Sequence, residues 1–395
     1  MFGKRLRELW PLDPRCVFLN HGSFGACPRP VLAAQSRYRA RLESQPLRFY
    51  LREYAEALDT SRRRLEIAVG ATSGQLAFVT NATTGVNTVL RGLDLRAGDE
   101  LLVTDQAYGA CRNAMEFVAA RAGATVQVVQ LPWPLKDAGE VTQVVLQAVG
   151  PRTRFALLDH ITSATALVLP VADMVAALRE RGVLTMVDGA HAPGQLPLNI
   201  GAIGAHWYTG NCHKWFCAPK GAAFLHADDE VSDGTRPLVI SHGAGLHWGD
   251  RPRFRREFDW QGTADPSAYL AVADALDFLA SLAPGGVGAA MGYNRQLALD
   301  ARALLCDALE VDPPCPADMV GSMAALPLGA AAAHRHKRVL ASEPLQDALF
   351  EAGIEVPIVR FPSDSQRLVR ISAQVYNCMD DYRQLAKVLY KILAH

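Results

Sequence analysis

The sequence predicts an α/β fold: a large domain with a mainly parallel sheet between helices, then a smaller C-terminal α+β domain. Three observations predict it. Short apolar runs alternate with helical patterns from Glu100 to Val187, the rhythm of strands joined by crossover helices. Polar residues collect where those runs end, which is where ligands bind in such sheets. The chain has 395 residues, half of them hydrophobic, more than one compact core usually takes up.

In chain order, Val17-Phe18-Leu19 reads as a short strand entering the turn Asn20-His21-Gly22-Ser23-Phe24-Gly25, whose two glycines permit a sharp bend or a close approach. Pro28 and Pro30 mark a helix start, and helical periodicity runs through two segments to about Ala68. Gln75 to Thr80 forms a short buried strand that stops at Asn81-Ala82-Thr83-Thr84-Gly85, before an apolar helix from Val86 to Leu93. Asn81 suits an N-cap, and free N–H groups with two threonine hydroxyls make a phosphate cradle; a plain capped helix start uses similar residues.

Strands then follow at Glu100 to Thr104, Thr125 to Gln130, Arg154 to Leu158 and Val183 to Val187, with helices at Tyr108 to Arg121, around Glu140 to Val149, and Val171 to Arg181. Pro219 to Leu225 is a turn and a strand. Residues 226–262 lack clear periodicity, and so long a stretch is often functional or a subunit contact. Helices return at Ser267 to Leu282 and Gly288 to Leu309, and the stretch from Met319 to His395 alternates strands and helices, ending in a helix from Asp380 to Leu393. The expected division is an N-terminal segment at 1–25 packing near the site, a large domain at 26–266 and a small domain at 267–395. Ala330 to Ala333 is only a short alanine run.

Charge narrows the function classes. The 40 basic and 40 acidic residues cancel, so nothing resembles the footprint of a nucleic-acid binder. Arg62-Arg63-Arg64 reads as a solvated helix face. The start of the chain has no apolar stretch behind its charges, and no run of about 18 apolar residues occurs anywhere, so neither secretion nor a membrane span is expected and the protein is read as cytoplasmic. The eight cysteines are then reduced thiols. Cys212 and Cys217, with His191, His206 and His213 nearby, make one loose pair where zinc frameworks need two tight ones, so no metal is expected.

The chemistry concentrates between Val183 and Ala223. Asp188-Gly189-Ala190-His191 ends an apolar strand, and Asn211-Cys212-His213-Lys214-Trp215 sets a lysine among aromatics. A lysine amine can hold an aldehyde as a Schiff base, and a fixed carboxylate can keep a pyridine nitrogen protonated, the two groups pyridoxal 5'-phosphate needs most. Taken alone, the pair is equally a structural ion pair. Tyr108 follows a strand end, where its ring either stacks on a flat heterocycle or packs. Asp159-His160-Ile161-Thr162-Ser163 is either a set of ring-hydroxyl contacts or a polar turn.

In order and spacing, these motifs resemble the class V aminotransferase branch of the fold-type I pyridoxal-phosphate enzymes, and within it the isopenicillin N epimerase-like group. Leu19 to Gly25, Asn81 to Gly85, Asp188 to His191, Gly210 to Trp215, Gln261-Gly262-Thr263-Ala264-Asp265-Pro266, and Arg370-Ile371-Ser372 with Tyr376-Asn377 carry the resemblance across nearly the whole chain. It implies Lys214 as the Schiff-base lysine, Asp188 as partner of the pyridine nitrogen and His191 at the ring hydroxyl. It places Ala82, Thr83, Thr84, Ser163, Tyr208, Asn211 and His213 around the cofactor, with Tyr108 as the stacking aromatic. Asn20 and His21 fall at the substrate, and Arg370 matches the arginine that grips an α-carboxylate. Thr263 matches a segment that reaches the phosphate from a neighbouring subunit, which implies a homodimer.

Two departures matter. The desulfurase branch carries a persulfide-forming cysteine before the arginine, where this chain reads Gly353-Ile354-Glu355-Val356-Pro357-Ile358-Val359-Arg360. Cys378 and Cys315 lie at the wrong places. Asn211 stands where a serine or threonine is common. The resemblance therefore implies epimerisation or racemisation of an amino acid, with His21 or Tyr108 as the second acid. Its alternatives are β-elimination from a cysteine derivative by a C–S lyase, transamination, or a non-catalytic binding protein with this fold. The side-chain pocket is expected from the N-terminal turn and residues 226–262.

Overall fold

The computed structural model describes residues 2–245, 247–330, 343–363 and 365–393. Residues 331–333 of the alanine run lie outside them. The chain builds strands β1 (Val17–Phe18), β2 (Leu76–Val79), β3 (Glu100–Thr104), β4 (Thr125–Val129), β5 (Thr153–Asp159) and β6 (Leu184–Asp188). β7 (Trp207–Asn211), β8 (Ala223–Ala227), β9 (Met323–Ala330), β10 (Ile354–Glu355), β11 (Ile358–Arg360) and β12 (Gln366–Ser372) follow.

Seven strands form the main sheet in the order β2-β8-β7-β6-β5-β3-β4. β3 to β7 pair in parallel, and β8 lies antiparallel between β2 and β7, so β2 also points their way. β5 shows why the sequence yields this layer. Phe155, Ala156, Leu157 and Leu158 are all buried, with Phe155 and Leu157 in one apolar cluster and Ala156 and Leu158 in the other. A strand buried on both faces must be apolar at every position.

Helices Arg29–Ser44 and Tyr54–Val69 precede the sheet, and Ser267–Ser281 packs against both. A second sheet, β11-β12-β9, is antiparallel and backed by the helix Gly286–Leu309. β1 pairs in parallel with β10, so the N-terminus is stitched to the last quarter of the chain, Val17 to Ile354 and Phe18 to Glu355. Among the described residues no single helix is long and apolar enough to cross a membrane.

Two expectations are corrected. Residues 226–262 contain the helix Arg253–Asp259, whose buried residues are Phe254, Glu257, Phe258 and Asp259; half of that face is charged, so hydrophobic periodicity does not reveal it. Arg62 is not on a solvated face but fully buried, paired with Asp59 at 2.8 Å and with Asp259. Its neighbours Arg63 and Arg64 are exposed, as a charged helix face would be.

Candidate active site

The co-directional strands deliver their carboxyl ends to one edge of the sheet. Register sets Asp159 of β5 beside Asp188 of β6, and Asp188 beside Thr209 of β7. Past β7 the chain turns through Cys212 to Ala222 before returning as β8, and this connection carries Lys214. Helix Ala82–Gly92 starts at the same edge, where Asn81 caps it by accepting from the Thr84 N–H at 2.8 Å. A cavity of about 440 Å³ opens there, with Lys214, Asp188, His191, Tyr108, Thr83 and Arg370 in its wall.

Lys214 has no carboxylate within ion-pair reach among the described residues; its Nζ lies 3.1 Å from His191 Nε2. Burial, and then the nearby Arg370 cation, lower its amine from the ordinary 10.5 to about 7, against the pull of Asp188. Much of it is therefore neutral and nucleophilic at physiological pH. Burial and the Lys214 charge hold the His191 imidazole well below its ordinary range. A neutral ring that accepts from Lys214 at Nε2 carries its hydrogen on Nδ1, an assignment made from the bonding pattern. His191 Nδ1 is buried without a partner among the described residues, which leaves this donor free for an acceptor on a ligand.

Asp188 is anchored on both oxygens. Oδ1 accepts from the Ala190 N–H at 3.0 Å and Oδ2 from the Cys111 thiol at 3.3 Å. Burial raises its carboxyl above the ordinary range, opposed by those two donors and by Lys214. Cys111 lies on the helix that begins after Tyr108, and burial pushes its thiol far up, so it serves as a donor.

At the helix start, Asn211 Oδ1 accepts the Ala82 N–H at 2.9 Å. With Ala82 and Thr84 N–H groups both engaged, the Thr83 N–H remains for an anion, favoured by the helix dipole. His213 lines the same wall; its Nδ1 lies 2.9 Å from the Ala222 carbonyl, and burial lowers it to about 4.

Arg370 on β12 faces the cavity from the other side. It is 5% exposed, it donates to the Ser163 carbonyl and, at 2.8 Å, to Ser23 Oγ, and its Nε is buried without a partner. No carboxylate lies within ion-pair reach of it among the described residues, and burial lowers it to about 10. A buried guanidinium with no counter-ion is an anion site awaiting its ligand.

Several sequence-derived site residues lie elsewhere. His21 is sealed off: its Nδ1 meets Tyr376 Oη at 2.8 Å and its Nε2 the Lys214 carbonyl at 2.9 Å. Burial lowers it to about 3, so it is a neutral ring that fixes the lysine loop and lies outside the cavity wall. Asn20 bonds Ser23 and Glu355 and reaches the cavity only through Ser23. Tyr208 lies below the wall, its hydroxyl 2.8 Å from His160 Nδ1. The Thr84 hydroxyl turns away to Thr80 and Asn81. Thr263 is exposed and outside the cavity. No residue of 226–262 lines it; Pro357, Val359 and Phe24 do. No cysteine lines it either, Cys378 and Cys315 included. Sequence reasoning missed Ser23, Cys111 and Asp159 as site residues, although Ser23 and Asp159 stood inside quoted motifs.

The donor set fits a pyridoxal phosphate: an aldehyde-reactive amine, a carboxylate for a ring nitrogen, the unpartnered His191 Nδ1 for a ring oxygen and a helix start for the phosphate. Fold and cavity together define a fold-type I pyridoxal-phosphate enzyme. The pattern of the family described as aminotransferase class-V matches residues 18–385, and the chain belongs to that family. Isopenicillin N epimerase of Streptomyces clavuligerus is 35% identical over 96% of this chain and 95% of its own. A putative L-cysteine desulfhydrase 1 of Oryza sativa subsp. japonica is 33% identical over 95% of this chain and 83% of its own. Among solved structures, a C-DES mutant with glycine covalently linked to the PLP cofactor superposes with a TM-score of 0.80 at 21% identity, covering 97% of this chain and 98% of the other.

Proposed function

We propose that the protein is an isopenicillin N epimerase-like epimerase or racemase that inverts an amino-acid Cα, with Lys214 as the base. The observation that carries this reading is the pairing in one cavity of a partly neutral Lys214 with a buried Arg370 that has no counter-ion. An α-amino acid supplies what both lack: a carboxylate for Arg370 and a Cα proton for Lys214.

Pyridoxal phosphate, when bound, supplies an electron sink that spreads the charge left at Cα. The remaining work belongs to this chain. Asp188 holds the positive charge of a ring nitrogen, fixed by Ala190 and Cys111. The His191 Nδ1 hydrogen and the Thr83 N–H, with His213, Asn211 and Ser163 nearby, hold the oxygens of the ligand. Arg370, aimed by Ser23 and Ser163, orients the substrate so that the Cα–H bond faces Lys214. His191 keeps Nζ in place by accepting a hydrogen bond from it at Nε2. Tyr108, half exposed in the wall, is the proposed second acid, since it lines the cavity and His21 does not. A homodimer in which Thr263 reaches the partner's cavity fits the exposure of that residue.

Full-length likeness to the epimerase favours inversion. A second reading, β-elimination from a cysteine derivative, is favoured by the burial of His21, because elimination needs one base and a leaving group but no second acid. One experiment separates them: incubation of the holoenzyme with amino acids and short peptides in deuterated water. The expected outcome is Cα deuteration with formation of the opposite enantiomer. Pyruvate, ammonia and sulfide from cysteine without inversion would establish the lyase instead.

A further inference from the structure

Asp159 has no part in the reading above, yet it is placed at its centre. It ends β5, is register partner to Asp188 and lines the same cavity. Its side chain is 4% exposed. The Tyr108 backbone N–H faces the Asp159 carboxyl, while Oδ2 is buried with no hydrogen-bond partner among the described residues.

Asp188 faces Asp159 from β6, and the Cys111 thiol and the Tyr108 backbone face it from the helix that follows Tyr108 and from its start; burial keeps the thiol protonated, so of these groups only Asp188 brings a charge. Two ionised carboxyls buried on adjacent strand ends repel each other, which favours a shared proton.

Resting on the assignment of Asp188 to a ring nitrogen, we propose that Asp159 is a positioning residue that carries a hydrogen on Oδ2, leaving Asp188 as the single negative charge of the pair. Burial first, and then the Asp188 charge, push the Asp159 carboxyl well above its ordinary range, in agreement with that geometry. The arrangement has two consequences. Asp188 stays ionised although buried, because the pair as a whole holds one proton and one charge. And Asp159 Oδ2–H becomes a donor at the cavity wall while its other oxygen steadies the start of the Tyr108 helix, tying the stacking ring to the carboxylate beneath it.

The first test needs no cofactor. The cofactor-free full-length protein at pH 8 is expected to show an infrared C=O band of a protonated carboxylic acid that Asp159→Asn removes. Absence of the band, or its survival in Asp159→Asn, overturns the proposal, and neither result bears on whether the enzyme is an epimerase. The second test uses the holoenzyme. Asn mimics a protonated Asp, so D159N is expected to bind pyridoxal phosphate within about threefold of wild type and to keep the pH midpoint of its absorbance band. Asp159→Ala, which strands the Tyr108 N–H, is expected to weaken binding about tenfold. If Asp159 were ionised, D159N would remove a charge beside the ring nitrogen and move the midpoint by about one unit or more, an outcome that also overturns the proposal. A failure of cofactor binding in the wild-type protein would instead count against the function proposed above, with the infrared result still standing.

Discussion

Two charge clusters among the described residues are built in opposite ways. In the first, Arg62, Arg251 and Arg255 surround Asp59 and Asp259 in a network of ion pairs, and Trp248 lies 4.7 Å under the Arg251 guanidinium. In the second, Lys214, Arg370, Asp159 and Asp188 occupy one cavity with no ion pair within 4 Å among them. Burial raises the cost of every charge in both. The first cluster offsets that cost internally and joins the helices to residues 226–262. The second leaves the cost standing, which is what a binding site does when its ligands bring the missing charges.

Breaking the second cluster is expected to give the largest functional effect. Lys214→Ala should abolish turnover and the absorbance band of the loaded enzyme, yet stabilise the cofactor-free protein. The sign follows from the amine, about 7 when folded against 10.5 unfolded: between those values the unfolded chain binds a proton that the folded one does not. The wild-type penalty is therefore full below about pH 7, shrinks as pH rises and is gone above about 10.5. Melting curves of both proteins at pH 7 and pH 10 check this.

Breaking the first cluster should do the reverse. Asp259→Ala leaves Arg62 buried beside one fewer carboxylate and is expected to cost about 3–5 kcal/mol, measured by urea denaturation, while the folded fraction keeps its cofactor spectrum. A shifted spectrum would erase the distinction between the clusters.

Arg370→Ala removes a guanidinium with no protein counter-ion. It should raise KM about 10- to 100-fold, the value of charge-assisted hydrogen bonds to a carboxylate, with little loss of melting temperature. Arg370→Lys should recover only part, because an ammonium lacks the planar fork. The smallest effect concerns pH: capture of pyridoxal phosphate by the cofactor-free protein should accelerate as pH rises through about 7 and level off above 8, since the neutral amine reacts. Stopped-flow absorbance gives the profile.

The same contrast explains what could be read from the sequence. Asp188, Lys214 and the Asn81 cap were legible because each is defined by local chemistry: a carboxyl at a strand end, a lysine on a loop, an N-cap three residues from its partner. The alternation of apolar runs foretold the layer that holds them. His21, Asn20 and Tyr208 were misplaced because the direction of a side chain depends on neighbours distant in sequence: Tyr376, Glu355 and His160 claim them. Arg62 looked solvated because its partners Asp259 and Asp59 flank it from another helix and from its own preceding turn. Asp159 was quoted but given no role, since its meaning comes from the β5–β6 register and not from its own segment.

The pairing of β1 with β10 has a consequence for how the protein is made. Gly25, with φ +68°, presses so close to the lysine loop that a Cβ there would lie 2.1 Å from the His213 carbonyl. The turn that closes the cavity is thus held at one end by Lys214 and at the other by Ile354 and Glu355. A ribosome delivers residue 17 well before residue 355. The first strand must wait for Ile354 and Glu355 before it has a partner, and Arg370 emerges later still. A nascent chain can complete its large sheet and expose Lys214 to solution before Arg370 has been made, so the two walls of the cavity are assembled at different times.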